Sequence, residues 1–419
     1  MNPSLETLLF ASGRASAHFA LACLEPFNGH LRAKSSFVNP DGEIMHWHDF
    51  GDLEGPGWAA NAVGGAHLLW RWARFVGDPA MQAAALALLD HVLEDGFIDV
   101  QTGFIWPYFD LAQARHCHET LAHSQRAASA NAAWSTARLS TMRAAAADLA
   151  AWLFAHVALL PNGWVPRRIT ADGQPFELTP HGQPDPIHDH SADGLFLLEL
   201  AGRLAPWRDR ALALGDAFVA AGGFWGSINH DTYDDHESVA YACAFRILRR
   251  TADWLDRPTW RAFAYQEALP ALARFRMAED RNGVATAGLL WMEETWDTAY
   301  LWENAEAAQA YLEAWTETGD AGYRDVALGI LAGIAGHHYG AHGFLTEGVD
   351  WNNHVGQQHH IDAELYGAIQ YTEPLLNNLH FLGPTLACFE QIGYRPPADP
   401  DDAASIALVR HINTEESDA

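Results

Sequence analysis

The chain has 419 residues, with 25 lysines and arginines against 53 aspartates and glutamates, which gives a net charge of −28 at pH 7. A surface this acidic repels phosphate backbones and anionic lipid head groups, so the composition predicts neither a nucleic-acid partner nor a membrane partner. The cysteines are scattered and form no CxxC pair, which excludes a zinc ribbon. Scattered thiols and the lack of a basic signal-peptide start favour a reducing, cytoplasmic location.

The clearest pattern along the chain is a glycine followed by an apolar residue, which recurs every sixty residues. The pairs are Gly103-Phe104, Gly163-Trp164, Gly223-Phe224, Gly283-Val284 and Gly343-Phe344. Gly42 lies one residue away from the same spacing. A fixed period of this length indicates a repeated structural unit.

Between these glycines the chain is rich in alanine and has helical periodicity, and breaker residues divide it into pairs of helices. Aspartate and proline at the breaks suit the N-cap and the first turn of each second helix. The predicted first helices are Trp58–Phe75, His236–Trp254 and Thr298–Thr318, and the predicted second helices are Met81–Leu93, Arg208–Ala220, Trp260–Phe275 and Tyr323–Ala335.

Six such units predict an all-α fold, an (α/α)6 toroid of six helical hairpins with the first helices in an inner ring and the second helices in an outer ring. Pro3–Leu24 is predicted to be the outer partner of the last helix, Ile361–Ile392, and to close the ring. The second inner helix is not located within Pro107–Ala147. An open solenoid is the alternative, but the chain lacks polar capping repeats. We expect one domain over residues 1–395 and an acidic, flexible tail over residues 396–419.

The connectors that lead into the inner helices carry many carboxylates, imidazoles and indoles, and in a toroid they converge on one end. Paired acids suit glycoside hydrolysis, because one carboxylic acid protonates the leaving oxygen while a carboxylate activates water or attacks the anomeric carbon. An aspartate before a helix is also typical of an N-cap. The predicted catalytic residues are Asp235, Glu294, Asp297 and Asp350, together with His190 and His236.

Substrate-binding residues are predicted in the same connectors. The indoles of Trp296 and Trp351 suit the apolar faces of sugar rings. In the Arg167-Arg168 pair, Arg168 is predicted to hold the carboxylate of a uronate by bidentate contacts. The remaining predicted substrate-binding residues are His48, His354 and His360.

Two other functions fit the same residues. Proton abstraction next to a carbonyl or carboxylate would suit a polysaccharide lyase or a sugar epimerase, with His190, His236, His354 or His360 as the base. A non-catalytic saccharide-binding protein is the further alternative, in which replacing the connector carboxylates would leave ligand affinity nearly intact.

A metal site is a weaker interpretation of the histidines. The HxH pairs that begin at His46, His116 and His188 would place two imidazoles on one side of an extended segment. Such pairs arise by chance in a chain with 23 histidines, and the sequence has no HExxH motif. We therefore predict no metal and no cofactor.

The repeated hairpins and the acidic, aromatic connectors resemble the six-hairpin glycosidase superfamily over nearly the whole chain. The resemblance implies an (α/α)6 toroid that acts on a saccharide, although this ring hosts hydrolases, lyases and epimerases. The Pro-Gly-His segment of the N-acylglucosamine 2-epimerase-like branch is absent before both His188-Asp189-His190 and Asp235-His236-Glu237. The Arg-Gly-Gln/Asn-Gly/Ala-Trp segment of unsaturated glucuronyl hydrolases is also absent. In general character the chain is similar to the family 154 type of glucuronidases, which implies an oligosaccharide partner that contains uronic acid. The sequence does not predict an oligomeric state.

Overall fold

Helices dominate the computed structural model of this chain, and short strands join them. The structure describes residues 4–46, 51–55, 61–97, 106, 108–117, 154–167, 174–175, 177–178, 184–201, 205–221, 225–228, 234–280, 285–293, 298–339, 343–349 and 372–397. The helices in these ranges are α1 (Leu5–Ala22), α2 (Asn61–Val76), α3 (Pro79–Glu94), α4 (Gly194–Ala201), α5 (Arg208–Ala220), α6 (Ser238–Leu255), α7 (Pro258–Phe263), α8 (Leu269–Ala273), α9 (Leu301–Thr318), α10 (Ala321–Ala335), α11 (Asn377–His380) and α12 (Leu382–Ile392).

The helix ends follow the breaker residues of the sequence. Asp78 caps α3 by accepting hydrogen bonds from the amides of Ala80 and Met81, and Pro79 takes the first helical position. Asp320 caps α10 in the same way through the amide of Gly322. The predicted helical pairs are therefore confirmed, with ends that differ by a few residues.

The second helix of the fourth pair is interrupted in its middle. A π-helical turn, Ala264–Ala268, joins α7 to α8. Pro270 lies in the first turn of α8 and has no amide hydrogen to donate, so the regular α-helical bonding pattern cannot continue through it. The predicted helix Trp260–Phe275 is thus a helix with one wide turn.

The first helices of the pairs form the inner ring. Each first helix packs against the second helix that follows it: α2 against α3, α4 against α5, α6 against α7 and α8, and α9 against α10. Neighbouring first helices also contact one another, in the order α4, α6, α9, α12, α2. The stretch in which the remaining inner helix is expected, Pro107–Ala147, lies mostly outside the described residues.

The two ends of the chain close the ring. α1 packs against α10, α11 and α12, while α11 and α12 also pack against α2. The first helix is therefore the outer partner of the last hairpin, as predicted. A contact between the first and last hairpins is incompatible with an open solenoid.

The repeated glycines mark a left-handed turn in the backbone. Gly163 and Gly343 have φ angles of 84° and 74°, a region that side chains with a Cβ rarely adopt. The apolar residues that follow them, Trp164 and Phe344, are 1% and 0% exposed. The repeat thus turns the chain after an outer helix and inserts an anchor into the core; the other three glycines of the series lie outside the described residues.

Short strands connect the hairpins. The strands are β1 (Leu24–Phe27), β2 (His30–Ala33), β3 (Leu53–Glu54), β4 (Tyr108–Asp110), β5 (Arg115–Cys117), β6 (Ala299–Tyr300), β7 (His338–Tyr339), β8 (Phe344–Leu345) and β9 (Gly348–Val349). Antiparallel pairs form between β1 and β2, β3 and β4, β4 and β5, β6 and β9, and β7 and β8.

The last predicted helix, Ile361–Ile392, is wrong over part of its length. Thr372 forms an antiparallel bridge with Val38, and residues 374–376 form a turn before α11 begins. Pro374 has no amide hydrogen for a helix, and the backbone of Thr372 is already bonded to Val38 in both directions. Residues 361–371 lie outside the described part of the chain.

A continuous apolar core runs from Leu9 in α1 to Phe389 in α12. The boundary at residue 395 stays a prediction, since residues 398–419 are not described. No helix among the described residues has the length and apolar character needed to cross a membrane.

Candidate active site

The connectors meet at the N-terminal ends of the inner helices, where their backbones are hydrogen-bonded edge to edge. Residues 190–192 lie beside residues 226–228, which in turn lie beside residues 235–237. The amide of Ser227 donates to the carbonyl of His190, and the amide of Gly226 donates to the carbonyl of Asp235. The segments that carry His190 and Asp235, two predicted catalytic residues, are thus hydrogen-bonded to the same segment, residues 226–228.

We call this row of hydrogen-bonded segments, residues 190–192, 226–228 and 235–237, the rim. It continues through the next hairpins. The amide of Ser238 donates to the carbonyl of Met292 over 2.9 Å, and the amide of Met292 donates to the carbonyl of Thr298 over 2.8 Å. β6, which follows Thr298, pairs with β9. Backbone contacts therefore position each connector directly against the next one along this part of the ring.

Asp235 and His236 lie side by side at this rim and reach the surface. Their side chains are 44% and 53% exposed, and Nε2 of His236 lies 3.7 Å from Oδ1 of Asp235. Neither residue is the N-cap of α6, a position that Glu237 occupies without a side-chain capping bond. The carboxylate of Asp235 therefore does not cap α6, and it reaches the surface where a substrate could contact it.

Tyr241, in the first turns of α6, holds the other side of the His236 ring. The two rings are stacked with an interplanar angle of 2°, and the phenol hydrogen-bonds to Nδ1 of His236. Burial raises the pKa of Tyr241 to about 12, and the charge of Asp235 adds to this against the opposing charge of Arg274. The phenol and Nδ1 of His236 share this hydrogen bond, which fixes the orientation of the imidazole ring.

His190 lies against an indole in the neighbouring segment. Its ring centroid is 5.6 Å from that of Trp225 in an edge-to-face arrangement. Trp225 in turn stacks on Trp164, the buried anchor of the glycine repeat, at 5.6 Å. Trp225 is partly exposed, so it combines a fixed position with an accessible indole. A sugar ring could use this surface by stacking.

Three buried carboxylates fasten the segments around Asp235. Glu237 accepts a hydrogen bond from the amide of Ile228, and Glu293 accepts one from the amide of Asp234 over 2.8 Å. Glu303, in the first turn of α9, accepts a hydrogen bond from the hydroxyl of Ser238 over 3.1 Å. All three glutamates are at most 1% exposed. These hydrogen bonds tie neighbouring segments together, and buried carboxylates require such partners.

Arg167 is held inside the protein. Its side chain is 2% exposed and pairs with the buried carboxylate of Asp185 at 3.1 Å. Of the arginine pair in this connector, the residue predicted to bind a uronate is Arg168, which lies outside the described residues.

Most of the predicted site residues fall on connectors that the structure does not describe. His190, Asp235 and His236 are brought to one rim, as described above. The predicted residues that lie outside the described ranges are His48, Arg168, Glu294, Trp296, Asp297, Asp350, Trp351, His354 and His360. Their roles stay predictions.

Histidines of the HxH pairs contact other side chains at the positions that the structure describes. Nδ1 of His46 lies 2.6 Å from a carboxylate oxygen of Asp52, and His116 packs against the rings of Phe97 and Phe109. In the part of the chain that the structure describes, no group of three or more histidine, cysteine, aspartate or glutamate side chains is arranged to hold a metal ion.

Sequence reasoning missed Tyr241, Trp225 and Glu303. Glu303 did leave a signal, since it is charged within the otherwise apolar and alanine-rich start of an inner helix, Leu301-Trp302-Glu303-Asn304-Ala305. The contact of Tyr241 with His236 depends on how the chain enters α6, which no sequence spacing specifies.

No protein-family model matches the chain, and no curated protein sequence matches it significantly. Solved structures do match in fold. A sugar epimerase from a ruminal bacterium has a TM-score of 0.62 at 13% identity, covering 91% of this chain and 98% of that chain. The cellobiose 2-epimerase from Bacillus thermoamylovorans B4167 has a TM-score of 0.61 at 14% identity, covering 89% and 95%.

An unsaturated glucuronyl hydrolase specific for heparin has a TM-score of 0.54 at 15% identity, covering 93% of this chain and 98% of that chain. At these identities the likeness is one of fold. It confirms the predicted fold, while the similarity to family 154 glucuronidases stays a prediction. The chain therefore has the (α/α)6 toroid fold that the repeat indicated.

Proposed function

We propose that this chain is a carbohydrate-active enzyme, a glycoside hydrolase that acts on oligosaccharides containing uronic acid. The observation that carries the proposal is the hydrogen bond from the amide of Asp234 to the carboxylate of Glu293. Asp235 and Glu294 directly follow these two residues in the chain. Asp235 therefore lies next to the described segment that precedes Glu294 in the sequence, which supports a proposal of hydrolysis by a pair of carboxylates.

Within this proposal the following residues contact the substrate. Asp235 and Glu294 act as the acid/base pair, and His236 shares or positions a proton beside Asp235. Asp297 and Asp350 remain candidates for the same role.

The names of the structural neighbours support a saccharide substrate. They are a sugar epimerase, a cellobiose 2-epimerase and an unsaturated glucuronyl hydrolase specific for heparin. The acidic surface of this chain, with a net charge of −28, would repel a polyanion at long range. We therefore expect short oligosaccharides with few carboxylates rather than long anionic polymers.

A second candidate function uses His236 as the reacting base. The phenol of Tyr241 fixes one ring nitrogen and Asp235 flanks the other, which is an arrangement that orients an imidazole for proton transfer. Such a base would suit an epimerase or a lyase, both of which remove a proton from carbon.

The test is a panel of uronic-acid oligosaccharides and neutral disaccharides incubated with the purified chain in deuterated buffer. New reducing ends without ultraviolet absorbance from an unsaturated product would support hydrolysis. Rising ultraviolet absorbance would mean β-elimination, and deuterium incorporation at carbon without bond cleavage would mean epimerisation; either result would overturn the hydrolase proposal.

A further inference from the structure

Carboxyl and imidazole groups alternate in a hydrogen-bonded row at the C-terminal end of α3, from the surface to the interior. Oε1 of Glu54 in β3 lies 2.7 Å from Nε2 of His91 in α3, and Nδ1 of His91 lies 2.7 Å from Oδ2 of Asp95, the C-cap of that helix. The same oxygen of Asp95 lies 2.9 Å from Nδ1 of His30 in β2. Glu54 and His91 are each 1% exposed, whereas the side chain of His30 is 20% exposed. We call these four side chains the ladder.

The ladder connects three separate parts of the first hairpin. β3 supplies Glu54, the end of α3 supplies His91 and Asp95, and the β1–β2 hairpin supplies His30. The turn of that hairpin adds a further bond, in which Nδ2 of Asn28 donates to Oδ1 of Asp95 over 3.0 Å. Because β3 lies on the connector that leads into the inner helix α2, the ladder fastens this connector to the outer helix.

The geometry at His91 requires one more proton than a neutral imidazole and two ionised carboxylates hold. A neutral imidazole has a single N–H, yet both ring nitrogens of His91 face carboxyl oxygens at 2.7 Å. Without a further proton, a lone pair on Nε2 would face a lone pair of Glu54. The proton belongs to the pair, either on the ring as an imidazolium or on Glu54 as a carboxylic acid that donates to Nε2. Both contacts are hydrogen bonds only while the pair holds this proton.

Burial favours the protonated pair. It raises the pKa of Glu54, against the hydrogen bond and charge of His91. Oε2 of Glu54 is buried and makes no hydrogen bond with any of the residues that the structure describes, so an ionised carboxylate would be poorly satisfied there. Burial would lower the pKa of His91, but the hydrogen bonds and charges of Glu54 and Asp95 outweigh it and raise that pKa. The folded pair therefore keeps its proton to a higher pH than the unfolded chain does.

The other charged or titratable groups that the structure describes around the ladder come from β1, β2, β5 and α3. Arg32 in β2 forms an ion pair with Glu25 in β1 at 2.8 Å, and their charges act on Glu54 in opposite directions. His116 in β5 packs among aromatic rings, and burial lowers its pKa, so it supplies no positive charge. Glu94 in α3 lies 3.5 Å from the exposed end of the ladder. The proton is therefore held by the groups of the ladder itself.

We propose that the ladder is a pH-sensitive latch that holds β3 and the β1–β2 turn against the end of α3. While the pair holds its proton, hydrogen bonds join all four side chains. When the proton is lost at alkaline pH, Nε2 of His91 and the carboxylate of Glu54 repel each other, and the attachment of β3 to α3 weakens. The latch does not rest on the proposed function.

The direction of the pH dependence follows from the directions of the pKa changes. Glu54 and His91 have raised pKa values, so their contribution to stability declines as the pH rises above 4.5 and 6.5, their respective ordinary values. Asp95 has the opposite sign. Burial would raise its pKa, but its hydrogen bonds to the two histidines and to Asn28 lower it, so its contribution is lost only as the pH falls below 3.8. The latch should therefore weaken on the alkaline side of 6.5.

Backbone hydrogen exchange of the full chain tests the latch, with rates at about pH 6 and about pH 9 corrected for the intrinsic exchange rate at each pH. Glu54→Gln is the informative variant, because its amide can donate to Nε2 of a neutral His91 whose Nδ1–H donates to Asp95, so that no shared proton is required. Glu390→Gln in α12 makes the same charge change at a carboxylate that is 67% exposed, and it is the matched control. Thermal unfolding checks that each variant is folded.

We expect the amides of β2, β3 and the end of α3 to lose protection about tenfold between the two pH values in the wild type and in Glu390→Gln, relative to the amides of α9. Glu54→Gln should lose less than about twofold, since its hydrogen bonds need no shared proton. An equal loss in the wild type and Glu54→Gln, or no loss in the wild type, would overturn the inference.

NMR of the labelled wild type gives a second test that does not depend on the folding of any variant. The nitrogen signals of the His91 ring and the carbon signal of the Glu54 carboxyl group, recorded at about pH 6, report where the protons lie. An imidazolium ring, or a neutral ring beside a protonated Glu54, would support the latch. A neutral ring beside an ionised Glu54 would overturn it.

Discussion

Side chains at the N-terminal ends of the inner helices fall into two groups by exposure. Asp235 and His236 are about half exposed, with side-chain values of 44% and 53%. Glu237, Glu293 and Glu303 are almost fully buried and bond to neighbouring segments. Exposed groups can contact a substrate, while the buried ones orient the backbone. Substitutions in the first group should therefore reduce activity, and those in the second group should reduce stability first.

Tyr241→Phe tests the positioning of His236. The substitution keeps the stacked ring and removes only the hydroxyl that bonds to Nδ1. We expect kcat on the identified substrate to fall about fivefold with KM nearly unchanged, since a lost hydrogen bond of about 1 kcal/mol disorders the imidazole without removing a substrate contact. Steady-state kinetics measure this split; an unchanged kcat would mean that the phenol does not position the base.

His338→Gln tests a buried histidine that connects β7 to α1. His338 bonds to the hydroxyl of Ser12 in α1 and to the carbonyl of Gly343, and burial lowers its pKa from 6.5 to about 4. Between these pH values the unfolded chain binds a proton at His338 that the folded chain does not. The free energy of unfolding should therefore fall as the pH decreases from 6.5 to 4.

The glutamine can replace both hydrogen bonds but cannot bind that proton. Urea unfolding at several pH values should then give the variant a weaker loss of stability on acidification than the wild type. His46→Gln, at a histidine that is 72% exposed, serves as the control. If the free energy of unfolding depends on pH equally in the wild type and in His338→Gln, then His338 does not contribute to the loss of stability at low pH.

At the scale of helices, close packing depends on glycines where a large aromatic ring crosses a neighbour. A Cβ atom on Gly215 in α5 would lie 2.4 Å from the ring of Trp260 in α7, and one on Gly13 in α1 would lie 2.5 Å from Trp72 in α2. Both indoles are fully buried, so they have little room to move. These glycines thus set the distance between neighbouring helices.

Gly215→Ala should accordingly lower the free energy of unfolding by about 1–3 kcal/mol through overpacking, despite the higher helix propensity of alanine. Gly329→Ala in α10 is the matched control, because its added Cβ would meet nothing nearer than 3.8 Å. There we expect a stabilisation of roughly 0.5–1 kcal/mol. Denaturant unfolding distinguishes the two; a stabilised Gly215→Ala would contradict the packing described for Trp260.

At the scale of the whole molecule, the sixty-residue period was enough to predict the toroid. At the two described positions of the period, Gly163 and Gly343, a left-handed glycine is followed by a buried aromatic anchor, which is a structural reason for the pattern in the sequence. Contacts between α1 and α12 then follow from the number of hairpins. A local interruption such as the turn at Pro374 was not predicted, because its cause is a backbone pairing with Val38, far away in sequence.

The candidate site was predictable only in part. The position of Asp235 and His236 on a connector follows from the helix pattern, whereas their neighbours are set by contacts between hairpins. The contact between Tyr241 and His236 is local and depends on how the chain enters α6. Glu293 and Glu303 acquire their partners only when the connectors meet at the rim. Long-range pairings of this kind leave no spacing in the sequence.

The central claim is that a saccharide reacts at the rim beside Asp235, and the most direct measurement compares turnover by wild type, Asp235→Asn and Asp253→Asn. Asp253 is the matched control, since its carboxylate is 73% exposed and lies near the C-terminal end of α6, away from the rim. We predict that Asp235→Asn lowers kcat/KM by at least about 100-fold on the substrate that the wild type turns over. Asp253→Asn should keep a rate within about threefold of the wild type, the usual scatter for a surface change of ±0.5 kcal/mol. An Asp235→Asn variant that is folded and retains the full rate would contradict the claim.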